Sequence, residues 1–118
     1  MTGYSHMRER IVPQFMRVLH ENGPTHISKI SARTAEILGL TPQEAALRYQ
    51  GRNANESRTE WQYQNAWVAA ELKKAGMVTT NNRGVYELTD DGCRVMSWME
   101  PITLQTIRED AKRRSSRI

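Results

Sequence analysis

The sequence has little of what a disulfide scaffold, a secreted protein or a membrane span requires. Cys93 is the one cysteine among 118 residues, so no internal disulfide can form, and a reducing compartment is favoured. No apolar run is long enough to cross a bilayer, and the first residues, MTGYSHMRERIV, lack the apolar centre of a signal peptide. We therefore expect a cytoplasmic, single-domain protein with no membrane association.

Motifs for catalysis or metal binding are also scarce. There is no glycine-rich phosphate loop, and no metal-site spacing joins the cysteine to the three histidines, His6, His20 and His26. Cys93 has no obvious base beside it, so we expect a buried, inert thiol. The Glu-x-Lys triplet Glu71–Lys73 has a spacing found in some nucleases, but it lies inside a helical pattern without a preceding Pro-Asp. We expect no enzyme activity, no metal and no cofactor.

The positive charge is concentrated at the C-terminal end. The net charge is +4 and the pI about 9.6, which points to an acidic partner such as nucleic acid. From Pro101 onward five basic residues face two acidic ones, which leaves only +1 for the preceding hundred residues. The basic residues are Arg108, Lys112, Arg113, Arg114 and Arg117. This end is either a phosphate-binding arm or a solvated tail, and composition leaves both open.

Apolar spacing predicts three helices in the first half of the chain. The first spans about residues 7–21, with Pro13 accommodated if it lies in the first turn and producing a kink otherwise. The second is capped by Thr25 or Ser28 and ends at Gly39. The third is short and begins with a capping box at Thr41. The expected buried positions are Ile11, Val12, Phe15, Met16, Leu19, Ile27, Ile30, Ala35 and Leu38.

The second half predicts a long helix, a hairpin and a further helix. The long helix runs from Thr59 to Ala75, with Gly76 after its last turn. Asn81, Asn82 and Gly84 supply the turn of a β-hairpin with Arg83 at its tip, and a helix capped by Thr89 follows. Leu104 to about Arg113 forms a polar helix that we expect to fray.

These elements predict a fold that is mainly α with a small β-hairpin, a winged helix-turn-helix. We place the winged-helix domain at residues 1–100 and a basic tail or linker at residues 101–118.

Candidate DNA contacts follow from this order of elements. Amide and aromatic side chains in the first turns of a helix can reach base edges in a major groove, and arginines nearby can meet phosphates. The predicted DNA-binding residues are Arg52, Arg58, Gln62, Tyr63, Gln64, Asn65, Lys73, Asn82 and Arg83. The alternatives are a solvated helix face and isolated surface arginines. Arg83 would enter a minor groove or clamp a phosphate.

The run AWVAAELKKAGMVTTNNRGVYELTDDGCRVM resembles the N-terminal domain of Mrr-type restriction endonucleases. The segments RIVPQFMRVLHENG and ILGLTPQEAA match that domain in order, so the resemblance covers about residues 10–99. It implies a winged-helix module that binds double-stranded DNA. In the family this module normally precedes a nuclease domain that cleaves modified, typically methylated, DNA. No such nuclease domain is recognisable in this chain, and Gln64 stands where the family has an arginine.

Three functional classes remain open at this point. The first is the DNA-recognition part of an Mrr-like restriction system, with a nuclease domain or subunit as partner. The second is a stand-alone transcriptional regulator, which predicts a homodimer on a palindromic site. The third is a protein-interaction module, which predicts an exposed apolar patch, for example at Trp98 and Met99.

Overall fold

The computed structural model describes residues 4–47, 58–81, 83–98 and 101–115, without the side chains of Ser5 and Trp98. A 3₁₀ turn at Ser5–Met7 leads into α1 (Arg8–Asn22) and is followed by β1 (Thr25–His26), α2 (Ile27–Ile37) and α3 (Pro42–Ala45). After the break come α4 (Glu60–Lys74), β2 (Val78–Thr80), β3 (Val85–Leu88), α5 (Asp90–Trp98) and α6 (Leu104–Ser115). Helices α1, α2 and α4 pack on one another around the core.

Helix α1 supplies the largest share of that core. Its buried residues recur at helical spacing, as the sequence predicts: Ile11, Val12, Phe15, Met16, Val18 and Leu19. Pro13 is the sixth residue of α1, so it lies beyond the first turn, where its missing N–H would have been harmless. Of the two possibilities that the sequence leaves open for Pro13, placement in the first turn is therefore excluded.

Helix α2 begins with a cap that differs from the two candidates suggested by sequence. His26 is the N-cap, and its Nδ1 accepts a hydrogen bond from the Ser28 N–H at 3.1 Å. The predicted caps, Thr25 and Ser28, are therefore wrong, because an imidazole nitrogen takes the role usually played by a hydroxyl or carboxylate. The capping box of α3 is confirmed, with Thr41 and Glu44 bonded reciprocally.

One face of helix α4 packs against the core through residues that follow one another at spacings of four and three. Trp61, Asn65, Val68 and Leu72 are all buried along it. A second capping box, between Thr59 and Gln62, starts the helix where the sequence predicts. Gly76, with φ of 80°, follows its last turn, as expected for a residue in the left-handed region.

The predicted hairpin is part of a three-stranded antiparallel sheet in the order β1-β3-β2. Thr25 pairs with Tyr86 and His26 with Val85, so β3 lies between two partners. A two-stranded hairpin alone is marginal in water, and the added strand supplies part of its support. Two residues carry too little pattern for β1 to be recognised from sequence. The fold is a winged helix, with the β2–β3 connection as the wing.

Helix α5 begins against the end of α4. Thr89 Oγ1 accepts a hydrogen bond from the Gly92 N–H, which confirms the predicted cap. Gly92 allows close approach, because a Cβ there would lie 2.2 Å from the Met77 carbonyl oxygen. Cys93, one residue further, is exposed, so the prediction of a buried thiol is wrong.

Helix α6 is packed against the rest of the protein. Ile107 is fully buried and Leu104 nearly so, and the Leu104 N–H donates to Glu9 Oε1 of α1 at 2.9 Å. This differs from the fraying helix expected from its polarity, because a few apolar residues and ion pairs to α5 hold it in place. Among the residues described, none of the helices is long and apolar enough to cross a membrane.

Candidate nucleic-acid interface

The outward face of α4 is a narrow stripe with small residues at its centre. Gln62, Ala66, Ala70 and Lys73 follow one another at spacings of four, four and three, and all are half-buried or exposed. From Gln62 to Lys73 the stripe extends about 16 Å along the helix axis. Its two alanines let a ligand approach the helix backbone closely, and its two ends are polar or charged. We call these four residues the α4 stripe.

The N-terminal end of the stripe is held by the capping box. Gln62 Oε1 accepts a hydrogen bond from the Thr59 N–H at 2.9 Å, and the Gln62 N–H donates to Thr59 Oγ1 at 3.1 Å. The hydrogen bond accepted by Oε1 therefore fixes the orientation of the Gln62 side-chain amide, and the amide nitrogen takes no part in that bond. An amide held in this way offers a donor in a defined position at the start of the stripe.

Arg58 and Tyr63 lie together beside this end. The guanidinium carbon of Arg58 is 5.1 Å from the centroid of the Tyr63 ring, within the range of a cation–π contact. Both residues are half-buried. The structure thus brings together three of the predicted contacts, Arg58, Gln62 and Tyr63, at the first turn of α4.

Gln64 and Asn65 occupy the opposite side of α4 and are buried. Asn65 Nδ2 donates to the Trp61 carbonyl at 3.0 Å, and Asn65 Oδ1 accepts from Thr34 Oγ1 of α2 at 2.9 Å. Neither amide has surface to offer DNA, since Gln64 is 3% exposed and Asn65 fully buried. We therefore assign both to the core and leave them out of the candidate interface. The signal was in the sequence, because Asn65 is four residues from Trp61 on the core stripe.

Gln64 belongs to a chain of polar contacts between α1 and α4. It accepts from Arg8 Nε at 2.6 Å and donates to Glu60 Oε2 at 2.5 Å. The Arg8 guanidinium lies 3.9 Å from the centroid of the Trp67 ring. An arginine of α1 therefore reaches the side chain of Gln64.

Arg83 lies on the wing, where its backbone is hydrogen-bonded to Asn81. Asn81 Oδ1 accepts hydrogen bonds from the N–H groups of Arg83 at 2.8 Å and Val85 at 3.0 Å. This is the local hydrogen bonding by which asparagine stabilises turns. The side chain of Arg83 is exposed, as predicted. At the far end of the α4 stripe, Lys73 is exposed as well.

The wing is attached directly to the start of α2. The Gly84 carbonyl accepts a hydrogen bond from the Ile27 N–H at 2.9 Å. Gly84 has φ of 80°, and a Cβ there would lie 3.1 Å from His26 Nε2. His26 thus caps α2 and packs beneath the wing tip, a role that sequence reasoning missed because a lone histidine carries no such signal.

Ion pairs join α6 to α4 and α5, with cations and carboxylates on both sides. Asp110, whose side chain is 4% exposed, accepts from Arg94 at 2.7 and 3.0 Å and from Arg114 at 2.9 Å. The hydrogen bonds from Arg94 are the main cause that lowers the pKa of Asp110 to about 2, against the opposing effect of burial. Arg108 donates to Glu71 at 2.6 Å and lowers the pKa of that carboxyl. These arginines stabilise the packing of α6, so the positive charge of this end is partly neutralised.

Some predictions fall outside the described residues, namely those for Arg52, Asn82, Met99 and the Trp98 side chain. Within the described part, Leu47 is the large apolar residue that is exposed, at 36%. Across the same residues, no group of three or more His, Cys, Asp or Glu side chains has the arrangement needed to hold a metal ion.

Comparison with known proteins agrees with this architecture. The family model described as the Mrr N-terminal domain matches residues 9–97, which extend from α1 into α5. No curated protein and no solved structure matches the chain. Since the matched segment covers well over half of the sequence, the chain belongs to the Mrr N-terminal domain family.

Proposed function

We propose that this protein binds double-stranded DNA and is the DNA-recognition part of an Mrr-like restriction system that acts on modified, methylated DNA. It performs no cleavage itself and works with a nuclease domain or subunit. Helix α4 lies in the major groove, and Arg83 contacts the backbone or the adjacent minor groove.

The observation that carries this proposal is the α4 stripe. Its central side chains are small, Ala66 and Ala70, while Arg58 lies at one end and Lys73 at the other. A helix with this profile can enter a major groove deeply and still meet phosphates on both sides. Arg83, exposed on the wing and hydrogen-bonded through its N–H to Asn81, adds a further cation outside the groove.

The direct test is a titration of labelled duplex at several salt concentrations. The expected result is binding that weakens steeply as salt rises, because phosphate contacts release counterions. Matched duplexes with and without 5-methylcytosine test the modification preference, with tighter binding of the methylated duplex expected. Lack of binding to either duplex at low salt would overturn the proposal.

Single charge removals localise the interface. Arg83→Ala and Lys73→Ala should each weaken binding on all sequences and reduce the salt slope by about 1. Arg17→Ala is the matched control. Arg17 is exposed, forms an ion pair with Glu21, and lines a groove between α1 and the α5–α6 connection. An equal loss in the control would mean that only net charge matters.

The absence of catalysis is tested separately. Incubation of methylated plasmid with the protein and Mg²⁺ should leave the DNA intact. Cleavage by the purified chain that disappears in Glu71→Gln would instead assign nuclease activity to the Glu71–Lys73 triplet.

A further inference from the structure

A small notch opens between the start of α2 and the first half of α4. Its volume is about 210 Å³, enough for the edge of one nucleobase. It lies beside the α4 stripe, with which it shares two residues. The lining residues are Ile27, Ser28, Ser31, Arg58, Gln62 and Ala66.

The walls of the notch combine apolar and polar character. Ile27 and Ala66 supply aliphatic surface, and Arg58 and Gln62 lie at its edge on the α4 side. Ser31 is 2% exposed, and its Oγ has no hydrogen-bond partner among the described residues. A buried hydroxyl without a partner lowers the stability of the protein, and a hydrogen bond to a suitable ligand atom would recover that loss.

This combination matches one edge of a pyrimidine. In the major groove a thymine presents its C5-methyl group next to the O4 acceptor, and a 5-methylcytosine presents the same methyl next to the N4 donor. A methyl group fits the aliphatic walls formed by Ile27 and Ala66. A serine hydroxyl can donate to O4 or accept from N4, so Ser31 is compatible with both bases.

We propose that the notch binds the C5-methyl group of a pyrimidine in duplex DNA, with Ala66 and Ile27 as the residues that contact the methyl. The proposal rests on the DNA-binding function proposed above and assigns its base preference to this site. A phosphate held by Arg58 is the competing occupant, and it would give no base preference. The half-buried aliphatic walls favour the methyl group.

The test uses four pools of random-sequence duplex that differ only in their C5-methyl groups. The pools contain thymine or uracil, each combined with cytosine or 5-methylcytosine. The pool with uracil and cytosine carries no C5-methyl group. Compared with a pool that carries the recognised methyl group, it should bind about fourfold more weakly for each methyl group that the notch holds. Recovery with thymine or with 5-methylcytosine identifies which source of the methyl is used. Equal affinity for all four pools would overturn the inference but leave DNA binding intact, whereas no binding to any pool would overturn both.

Substitution on α4 localises the effect. Ala66→Leu fills the notch and should remove the difference between the pools while the salt dependence persists. Ala32→Leu is the matched control, since Ala32 is an exposed alanine of α2 that lies outside both the notch lining and the α4 stripe. A pool difference that persists in folded Ala66→Leu would contradict the assignment.

A measurement on the unsubstituted protein covers the case in which Ala66→Leu does not fold. Duplex with 5-iodouracil in place of thymine carries the iodine at the methyl position and crosslinks to adjacent residues on irradiation. Tryptic cleavage after Arg58 and Lys73 releases residues 59–73, and cleavage after Arg17, Lys29 and Arg33 releases residues 18–29 and 30–33. Crosslinks in these peptides support the notch, and crosslinks confined to other peptides overturn it.

Discussion

Asn65 of α4 accepts a hydrogen bond from Thr34 of α2 at 2.9 Å, and both residues are fully buried. A second bond crosses the same interface, from Trp61 Nε1 to the Ser31 carbonyl at 2.9 Å. The two helices that border the candidate interface are therefore joined by specific polar contacts as well as by apolar packing. Their relative position determines the shape of the notch between them.

Asn65→Ala should lower the free energy of unfolding by about 2–3 kcal/mol, because it removes two buried hydrogen bonds and leaves a small cavity. Urea denaturation measures the loss. Lys73→Ala, on the exposed side of the same helix, should change stability by less than about 0.5 kcal/mol while it weakens DNA binding. Similar stabilities for the two variants would contradict the structural role of Asn65.

Gly84→Ala should destabilise the protein by about 1 kcal/mol or more. Alanine disfavours the φ of 80° found there, and its Cβ would press against His26 Nε2 at 3.1 Å. Thermal denaturation reports the change. Gly39→Ala separates the backbone strain from the steric contact. Gly39 has φ of 78°, but a Cβ added there would meet no atom within 4 Å. Gly39→Ala should therefore destabilise the protein less than Gly84→Ala.

The ion pairs of Asp110 should make stability fall at acid pH. Its pKa is lowered from 3.8 to about 2 in the folded protein, so the stabilisation is present above about pH 4 and is lost as the pH falls toward 2. The loss is about 1–2 kcal/mol after allowance for solvent screening. Urea denaturation at pH 6, 4 and 2.5 measures it. In Asp110→Asn this part of the pH dependence should disappear, and an unchanged pH profile would argue against the assignment.

Arg8→Lys should destabilise the protein by about 1 kcal/mol although it keeps the charge. A lysine cannot stack a planar group on Trp67 and at the same time donate through Nε to Gln64. Tryptophan fluorescence should also shift, since the contact with the Trp67 ring changes. Arg10→Lys, on an exposed position of the same helix, serves as the control and should leave both measurements unchanged.

The helical framework could be predicted from sequence because it depends on local patterns. The apolar spacing of α1, the capping box of α3 and the start of α4 at Thr59 all follow from residues within one or two turns. Strand β1 could not be predicted in this way, since its two residues become a strand only by pairing with β3.

The differences between the sequence-based expectations and the structure at Gln64, Asn65 and α6 have a common physical origin. Gln64 and Asn65 are predicted to contact DNA because amide side chains can read base edges. Their positions on α4 instead place both side chains in the core. The charges of α6 suggest a fraying helix, although Leu104 and Ile107 are three residues apart and both face the core. Its ion pairs with α5 join residues distant in sequence, and no local pattern indicates them.

The hydrogen bond between Gly84 and Ile27 has a consequence for how the wing meets its ligand. Because the wing tip and the first turn of α2 are joined, they should move as one rigid unit. Much of the conformational entropy that a free loop would lose on association is then lost during folding. Arg83 is presented from a preorganised platform, so its removal should act mainly through the dissociation rate.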